Sequence, residues 1–321
     1  MSEVAPTTEV QHPSGIEIRY FAEDKEAKVK RHYEIRKGQD WQEVPNVTSV
    51  LGILQKEQLI SWAQRVGVGG AVSLFNIGAL KPVNVNGQIV LGAFMPERGG
   101  WVAVDEWMGV ELLKSHSLTT NALKKEGGDR GQSCHDALES WSDTGILPEP
   151  SHYPMHEQGY VSALRDFLKD SGAVSVRAEV AVGSLEHGYA GRFDNDLRLP
   201  AGAFLWTHRT EKGRGDQQTT FPAGLYRVDL KTSKGAFPEH GEQLEAYERA
   251  AIECGLPETL QRCVISCREN GQYTFVPVGS GYPRIKQYPW ATFEDFERTL
   301  AKFKALESRK GRRKEELSAT D

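Results

Sequence analysis

Asp229 and Lys231 are the first residues whose types and spacing suggest chemistry. They stand in Leu225-Tyr226-Arg227-Val228-Asp229-Leu230-Lys231-Thr232, a run that reads as a β-strand. On a strand, alternate side chains share a face. Val228 and Leu230 therefore point into apolar packing, while Asp229 and Lys231 point together to the other side. A carboxylate is the oxygen ligand that Mg²⁺ prefers. An ammonium beside it can orient an attacking water or neutralise charge developing on phosphorus. One carboxylate is too few to hold an ion, and Gly191-Arg192-Phe193-Asp194 offers a second on the preceding strand. Antiparallel neighbours lie about 5 Å apart, so Asp194 and Asp229 can share one or two metals. Asp196 sits two residues further on, and spacing alone does not choose between it and Asp194. Taken by itself, Asp-x-Lys on a strand is more often a solvated face with a surface ion pair.

The following helix adds Gln243 and Tyr247, four residues apart and so on one helical face. Tyr247, with Leu244 and Ala251, equally suits ordinary core packing.

These residues need elements to position them. Gly15 to Asn46 reads as one or two strands and Thr48 to Val66 as a helix, with Val50, Leu51, Leu54, Leu59, Trp62 and Val66 at helical spacing. Residues 67–102 read as a β-rich insertion with a hairpin turn at Asn86-Gly87. A helix carries Ser133 to Trp141, and another runs from Gln158 to Lys169. Strands follow at Val174–Val182, Tyr189–Leu199 and Leu225–Thr232. The helix Glu239–Cys254 is started by Pro238 and stopped near Gly255. Leu260–Cys267 and Tyr273–Val278 form a hairpin, and Thr292–Leu306 is a last helix before a charged tail. Met1 to Pro13 reads as polar and loose.

An enzyme that releases its substrate repeatedly has no need of a uniformly basic surface. The net charge of −5 does not advertise a nucleic-acid binder, but binding depends on where positive charge lies. No apolar run is long enough to span a membrane, and the N-terminus has no secretory pattern. Four cysteines without framework spacing point to a reducing compartment.

Jointly, Asp229-Leu230-Lys231-Thr232-Ser233-Lys234-Gly235 through Gln243-Leu244-Glu245-Ala246-Tyr247 closely resembles the RecB-like branch of the PD-(D/E)XK nucleases. Ala190-Gly191-Arg192-Phe193-Asp194 is similar to its Gly-x-x-Asp motif. Gly131 and His135 are similar to its Gly-x-x-x-His helix. Pro45 to Leu51, with Trp62, is similar to phage-encoded members. The resemblance covers roughly residues 43–66 and 129–255.

It implies an α/β fold: a PD-(D/E)XK (restriction-endonuclease-like) core with a mixed central sheet flanked by helices and N-terminal β-rich additions. The expected division is 1–128 as an N-terminal extension and insertion packed on the core, 129–308 as the nuclease core and 309–321 as a charged tail. It implies that Asp194, Asp229, His135 and the Leu230 carbonyl ligate Mg²⁺ or Mn²⁺, and that Lys231 positions the attacking water. Gln243 and Tyr247 would brace the site or touch DNA, and Glu179 matches a further acidic position. Lys234, with Arg209 and Arg214 of the 200–224 connection, is a candidate DNA contact. That connection is either a DNA-contacting flap or a solvated loop.

The implied function is a metal-dependent DNA exonuclease in phage or bacterial recombination or repair, working in the cytoplasm. A single-strand annealing recombination protein is an implied partner, and homo-oligomer formation is left open. The alternatives are a structure-specific or restriction-type endonuclease, a non-catalytic DNA-binding protein, and an interaction protein with coincidental motifs. Cys134, Cys254, Cys263 and Cys267 lack the close C-terminal trio of cluster-bearing relatives, which argues against an iron–sulfur cluster.

Overall fold

Alternation in the central strands decides the architecture. The computed structural model describes residues 5–23, 31–54, 66, 68–85, 88–96, 100–210, 212–233, 235–279 and 291–318. The chain is mixed α/β and divides into two compact units, Met1–Leu54 with Arg130–Asp321, and Gln55–Asp129. Residues 1–54, which the sequence groups with 55–128, share a core with the later chain instead.

In the larger unit, the N-terminal strands β1 (Thr8–Gln11), β2 (Glu17–Phe21), β3 (His32–Arg36) and β4 (Gln42–Val44) form an antiparallel meander. The expectation of a loose start through Pro13 is corrected, since β1 pairs with β2 from Thr8↔Tyr20 to Gln11↔Glu17. Asn46 caps the short helix α1 (Val47–Leu51), its side chain accepting from the Thr48 N–H. Residues 55–65, with Leu59 and Trp62, lie outside the described residues, as does Asn86-Gly87.

The smaller unit holds a helical stretch at 68–76 and an antiparallel sheet of β5 (Leu80–Val85), β6 (Gln88–Met95) and β7 (Gly100–Ala103). Helix α2 (Glu106–Ser115) follows. Leu74, Leu80 and Ala93 form its small core. The β-rich reading of 67–102 therefore missed its first helix. Helix α3 (Thr120–Thr144) starts here and continues into the larger unit.

The central sheet has the order β14-β13-β12-β9-β8. It comprises β8 (Val174–Ser184), β9 (Tyr189–Leu199), β12 (Gly224–Lys231), β13 (Gln261–Cys267) and β14 (Tyr273–Pro277). All neighbours are antiparallel except β12 and β13, which run parallel with α5 (Pro238–Glu253) as the crossover. Helix α4 (Gln158–Ser171) lays Val161, Leu164, Phe167 and Leu168 on one face, with Val228, Leu230, Cys263 and Ile265 beneath. Each such buried side chain contributes about 1.5–3 kcal/mol. Gly172 ends α4 at φ 55°, the left-handed conformation that favours glycine. The other face carries Phe193, Ala246, Tyr247 and Ala250, packed with Ile18, Ile35 and Val47 of the N-terminal elements. Covered on both sides, β12 is buried along most of its length.

Two expectations change here. Residues 200–224 are not an irregular connection, because β10 (Ala203–His208) and β11 (Gln217–Phe221) form their own hairpin, a separate two-stranded sheet. The register of β9 with β12 survives the insertion, from Gly224↔Leu199 to Val228↔Asn195. The last helix, α6 (Phe293–Ser318), also runs on through the stretch read as a charged tail. No helix among the described residues is long and apolar enough to cross a membrane.

Candidate active site

Register places three carboxylates in a row. β8 pairs Ala178↔Asn195 and Val180↔Phe193, so Glu179 stands opposite Asp194. β9 and β12 last pair at Val228↔Asn195, so the next residues, Asp229 and Asp194, face each other where the ladder stops. There the Leu230 N–H donates to Asp194 Oδ2 at 2.6 Å instead of to a strand carbonyl. Leu230 thus joins the site through its amide.

Helix α3 brings His135 onto this row, with Nδ1 3.5 Å from Asp194 Oδ2. Ligand atoms of His135, Glu179 and Asp194 all lie within 4.8 Å of one another. Glu179 adopts φ 51°, unusual for a side-chain-bearing residue on a strand. Its carboxylate also pairs with Arg192 Nε at 2.8 Å. Lys231 Nζ lies 2.6 Å from Asp229 Oδ2 as an ion pair. The Gln243 amide donates to Asp229 Oδ1 and to the Tyr247 hydroxyl, both at 3.2 Å. Tyr247 is only 2% exposed, so it braces Gln243 from below and has no surface to offer a DNA strand.

Electrostatics follow from this crowding. Burial pushes the Glu179 carboxyl up to about 7, and the Asp194 charge adds to it. Burial also raises Asp194, with Asp229 adding and His135 opposing. Burial works to lower the Lys231 ammonium, but Asp229 and Asp194 outweigh it and the net shift is upward. His240, buried behind the site, is pushed down to about 4 by burial, and its Nδ1 accepts the Phe237 N–H at 3.2 Å.

The choice between Asp194 and Asp196 is settled by Arg227. Its guanidinium donates to Asp196 Oδ1 at 2.9 Å and Oδ2 at 3.0 Å, and to Glu248 Oε2 at 3.0 Å. Asp196 is thereby consumed in a fully buried brace between β9, β12 and α5. Sequence reasoning missed Arg227 and Glu248, although Arg227 shares the alternation of Asp229. Gly191 is explained by space: a Cβ there would sit 2.5 Å from the Tyr247 ring.

Not every candidate converges. Arg209 stacks over Trp206 at 4.6 Å and faces Asp216 at 3.9 Å, on the β10–β11 hairpin outside the cluster. Arg214 is exposed in the same hairpin's turn. Lys234 lies outside the described residues. Cys134, Cys263 and Cys267 belong to the core under α4, while Cys254 lies in the core on the other face of the sheet. All four are buried free thiols.

No known protein family and no curated protein matches this chain. The arrangement has to be read from its own chemistry. Carboxylate oxygens suit Mg²⁺ and Mn²⁺, and an imidazole nitrogen is compatible with Mn²⁺ and other transition ions. A buried row of like charges, with one proton retained up to about pH 7 on Glu179, is an environment that a divalent cation would relieve.

Proposed function

We propose that this protein is a metal-dependent deoxyribonuclease with a PD-(D/E)XK core, acting as an exonuclease on DNA ends. The observation that carries the reading is the row Glu179, Asp194, Asp229 across three adjacent strands, joined by His135 and ending at Lys231. The mixed sheet, with its β12-α5-β13 crossover and helices on both faces, supports the same core.

His135, Glu179 and Asp194 would hold the cation, with Asp229 beside them. Such an ion, when bound, supplies Lewis-acid stabilisation of the phosphate and lowers the pKa of a water ligand. Lys231 offers its Nζ–H donors at the edge of the carboxylate row, where they can orient the attacking water and meet charge developing on a phosphate oxygen. Gln243 fixes Asp229 through Oδ1, and the Tyr247 hydroxyl fixes Gln243. Arg227 and Asp196, each two residues from a carboxylate of the row, keep β9 and β12 from sliding. Preorganisation of this kind means that little has to rearrange as the barrier is crossed. The sequence resemblance adds a context of recombination or repair, with a single-strand annealing protein as partner.

The test is degradation of end-labelled linear DNA, single- and double-stranded, against closed circles. Each is run with Mg²⁺, Mn²⁺ or chelator, for wild type and Lys231→Ala. Metal-dependent loss of linear DNA, with circles spared and the variant dead, is expected. Cut circles would replace the exonuclease with an endonuclease. No cleavage with any metal would overturn hydrolysis altogether.

A further inference from the structure

A cavity of about 910 Å³ opens beyond the carboxyl end of β12, on the α4 side of the sheet. Thr232, directly after Lys231, forms one wall together with Ser233. Arg130, Tyr160 and Arg268 form the others. Two of the elements that line the cavity also carry site residues: Arg130 is on α3 five residues before His135, and Thr232 follows Lys231. A Cβ on Gly131 would lie 3.8 Å from Thr232 Oγ1, so α3 and the end of β12 are in ordinary contact there. The carboxyl ends of strands are where open α/β sheets receive ligands.

The lining has a definite chemistry. The Arg130 guanidinium lies over the Tyr160 ring at 5.4 Å. Arg130 Nε is buried and finds no acceptor among the described residues. Arg268 is held by a bond from Nη1 to the Arg209 carbonyl at 2.7 Å. Ser266 Oγ donates to the Ser233 carbonyl at 2.8 Å and fixes that wall. Glu269 and Asn270, on the β13–β14 turn, complete the rim, and that turn is seated on Gly159, where a Cβ would overlap the Glu269 carbonyl. Two guanidiniums, one aromatic ring and hydroxyl groups are the parts that hold a phosphodiester and a stacked base. The volume lies in the range of a small-ligand pocket. A single nucleotide is within the size that such a pocket takes.

We propose that this cavity binds a nucleotide of single-stranded DNA next to the phosphodiester to be cut, with Arg130 and Arg268 on phosphate and Tyr160 against the base. The proposal rests on the nuclease reading and extends it. A duplex end would have to release its terminal nucleotide from pairing before the strand could reach Lys231. Arg209 supplies its backbone carbonyl to this wall through Arg268.

The experiment is fluorescence anisotropy of a labelled oligothymidylate and of a blunt hairpin duplex, in chelator, across a series of salt concentrations. The full chain is used as wild type, Arg130→Gln, Tyr160→Phe and Tyr160→Leu, with thermal melting to check folding. Loss of one phosphate contact reduces the salt slope for single strands by about 0.7, and that change is expected for Arg130→Gln. Loss of a base stack weakens binding by roughly 5- to 150-fold, expected for Tyr160→Leu and not for Tyr160→Phe. Duplex binding should change little in any variant. Wild-type single-strand affinity and salt slope in Arg130→Gln would overturn the proposal, and so would equal losses on duplex and single strand. Cleavage with Mg²⁺ or Mn²⁺ separates the two readings. Normal cleavage with unchanged binding in Arg130→Gln removes the pocket alone. Arg130-dependent single-strand binding without any cleavage removes hydrolysis and leaves the pocket.

Discussion

Arg227 is fully buried and serves two carboxylates, Asp196 and Glu248, which are buried with it. Arg227→Met keeps most of the volume and removes the charge. Among the described residues, Asp196 would retain only Arg177, at 3.4 Å. Glu248 would retain the Thr259 N–H and hydroxyl, each at 2.7 Å. Breaking a buried ion pair by removing one partner costs about 3–5 kcal/mol, because an uncompensated charge stays behind. The surviving partners reduce the loss, while orphaning two acids increases it, so about 3–5 kcal/mol remains the expectation. In a unit of this size that lowers Tm by roughly 6–20 °C. Urea and thermal denaturation would measure it. The triple variant Arg227→Met, Asp196→Asn, Glu248→Gln should recover much of the loss, since no charge is then left buried. A loss below about 1 kcal/mol for the single variant would refute the reasoning and mean that water reaches the brace. A second readout is Mn²⁺ affinity by calorimetry. It should fall in Arg227→Met at temperatures where the protein is still folded, because the brace holds the strands that carry Asp194 and Asp229.

Asp194→Asn should raise Tm of the metal-free protein near pH 8, because it removes a buried charge crowded by its neighbours. The same change should abolish stabilisation by added Mn²⁺ in a thermal-shift series; if metal still stabilises the variant, Asp194 is not a ligand. His240 predicts an acid limb. Its folded pKa of about 4 is below the ordinary 6.5, so its contribution is fully present above about pH 6.5 and is lost as pH falls towards about 4. At about 1.4 kcal/mol per pH unit this amounts to roughly 3 kcal/mol. His240→Asn, which can still accept the Phe237 N–H, should flatten that limb in denaturation curves measured across the range. An unchanged limb would assign acid sensitivity to other groups. Gly191→Ala should cost about 1–3 kcal/mol through overpacking against Tyr247 and Val47. It should also reduce cleavage by displacing the Gln243 brace, and a variant with wild-type stability and rate would show that the ring moves aside freely.

The central strands were legible because each has a phase with clear contrast. Val228 and Leu230 against Asp229 and Lys231 gave both the strand and the side that carries chemistry. The β10–β11 hairpin was not legible, because its two phases look alike. Ala203, Leu205 and Thr207 are buried, but Phe204 and Trp206 occupy the outward phase. Residues 120–132 of α3 and the end of α6 carry no apolar stripe, so periodicity could not extend those helices. In the site, Asp229, Lys231 and Asp194 followed from spacing, whereas His135 and Glu179 needed the family resemblance. Arg227 was hidden by its charge, which reads as surface until Asp196 and Glu248 are seen around it. Tyr160 and Arg268 reach their cavity through contacts distant in sequence, which no local pattern encodes.

The four thiols have a practical consequence for any spectroscopic study of the molecule. Burial raises Cys134 to about 12 and Cys254 to about 11, and Cys263 and Cys267 also move well upward. Alkylating reagents attack the thiolate, so at about pH 7.5 a pKa near 11 leaves on the order of a few reactive molecules in ten thousand. The native chain is therefore its own cysteine-free background. One new cysteine at an exposed position such as Arg214 would take a fluorophore or spin label selectively, and all four native sulfurs could stay in place.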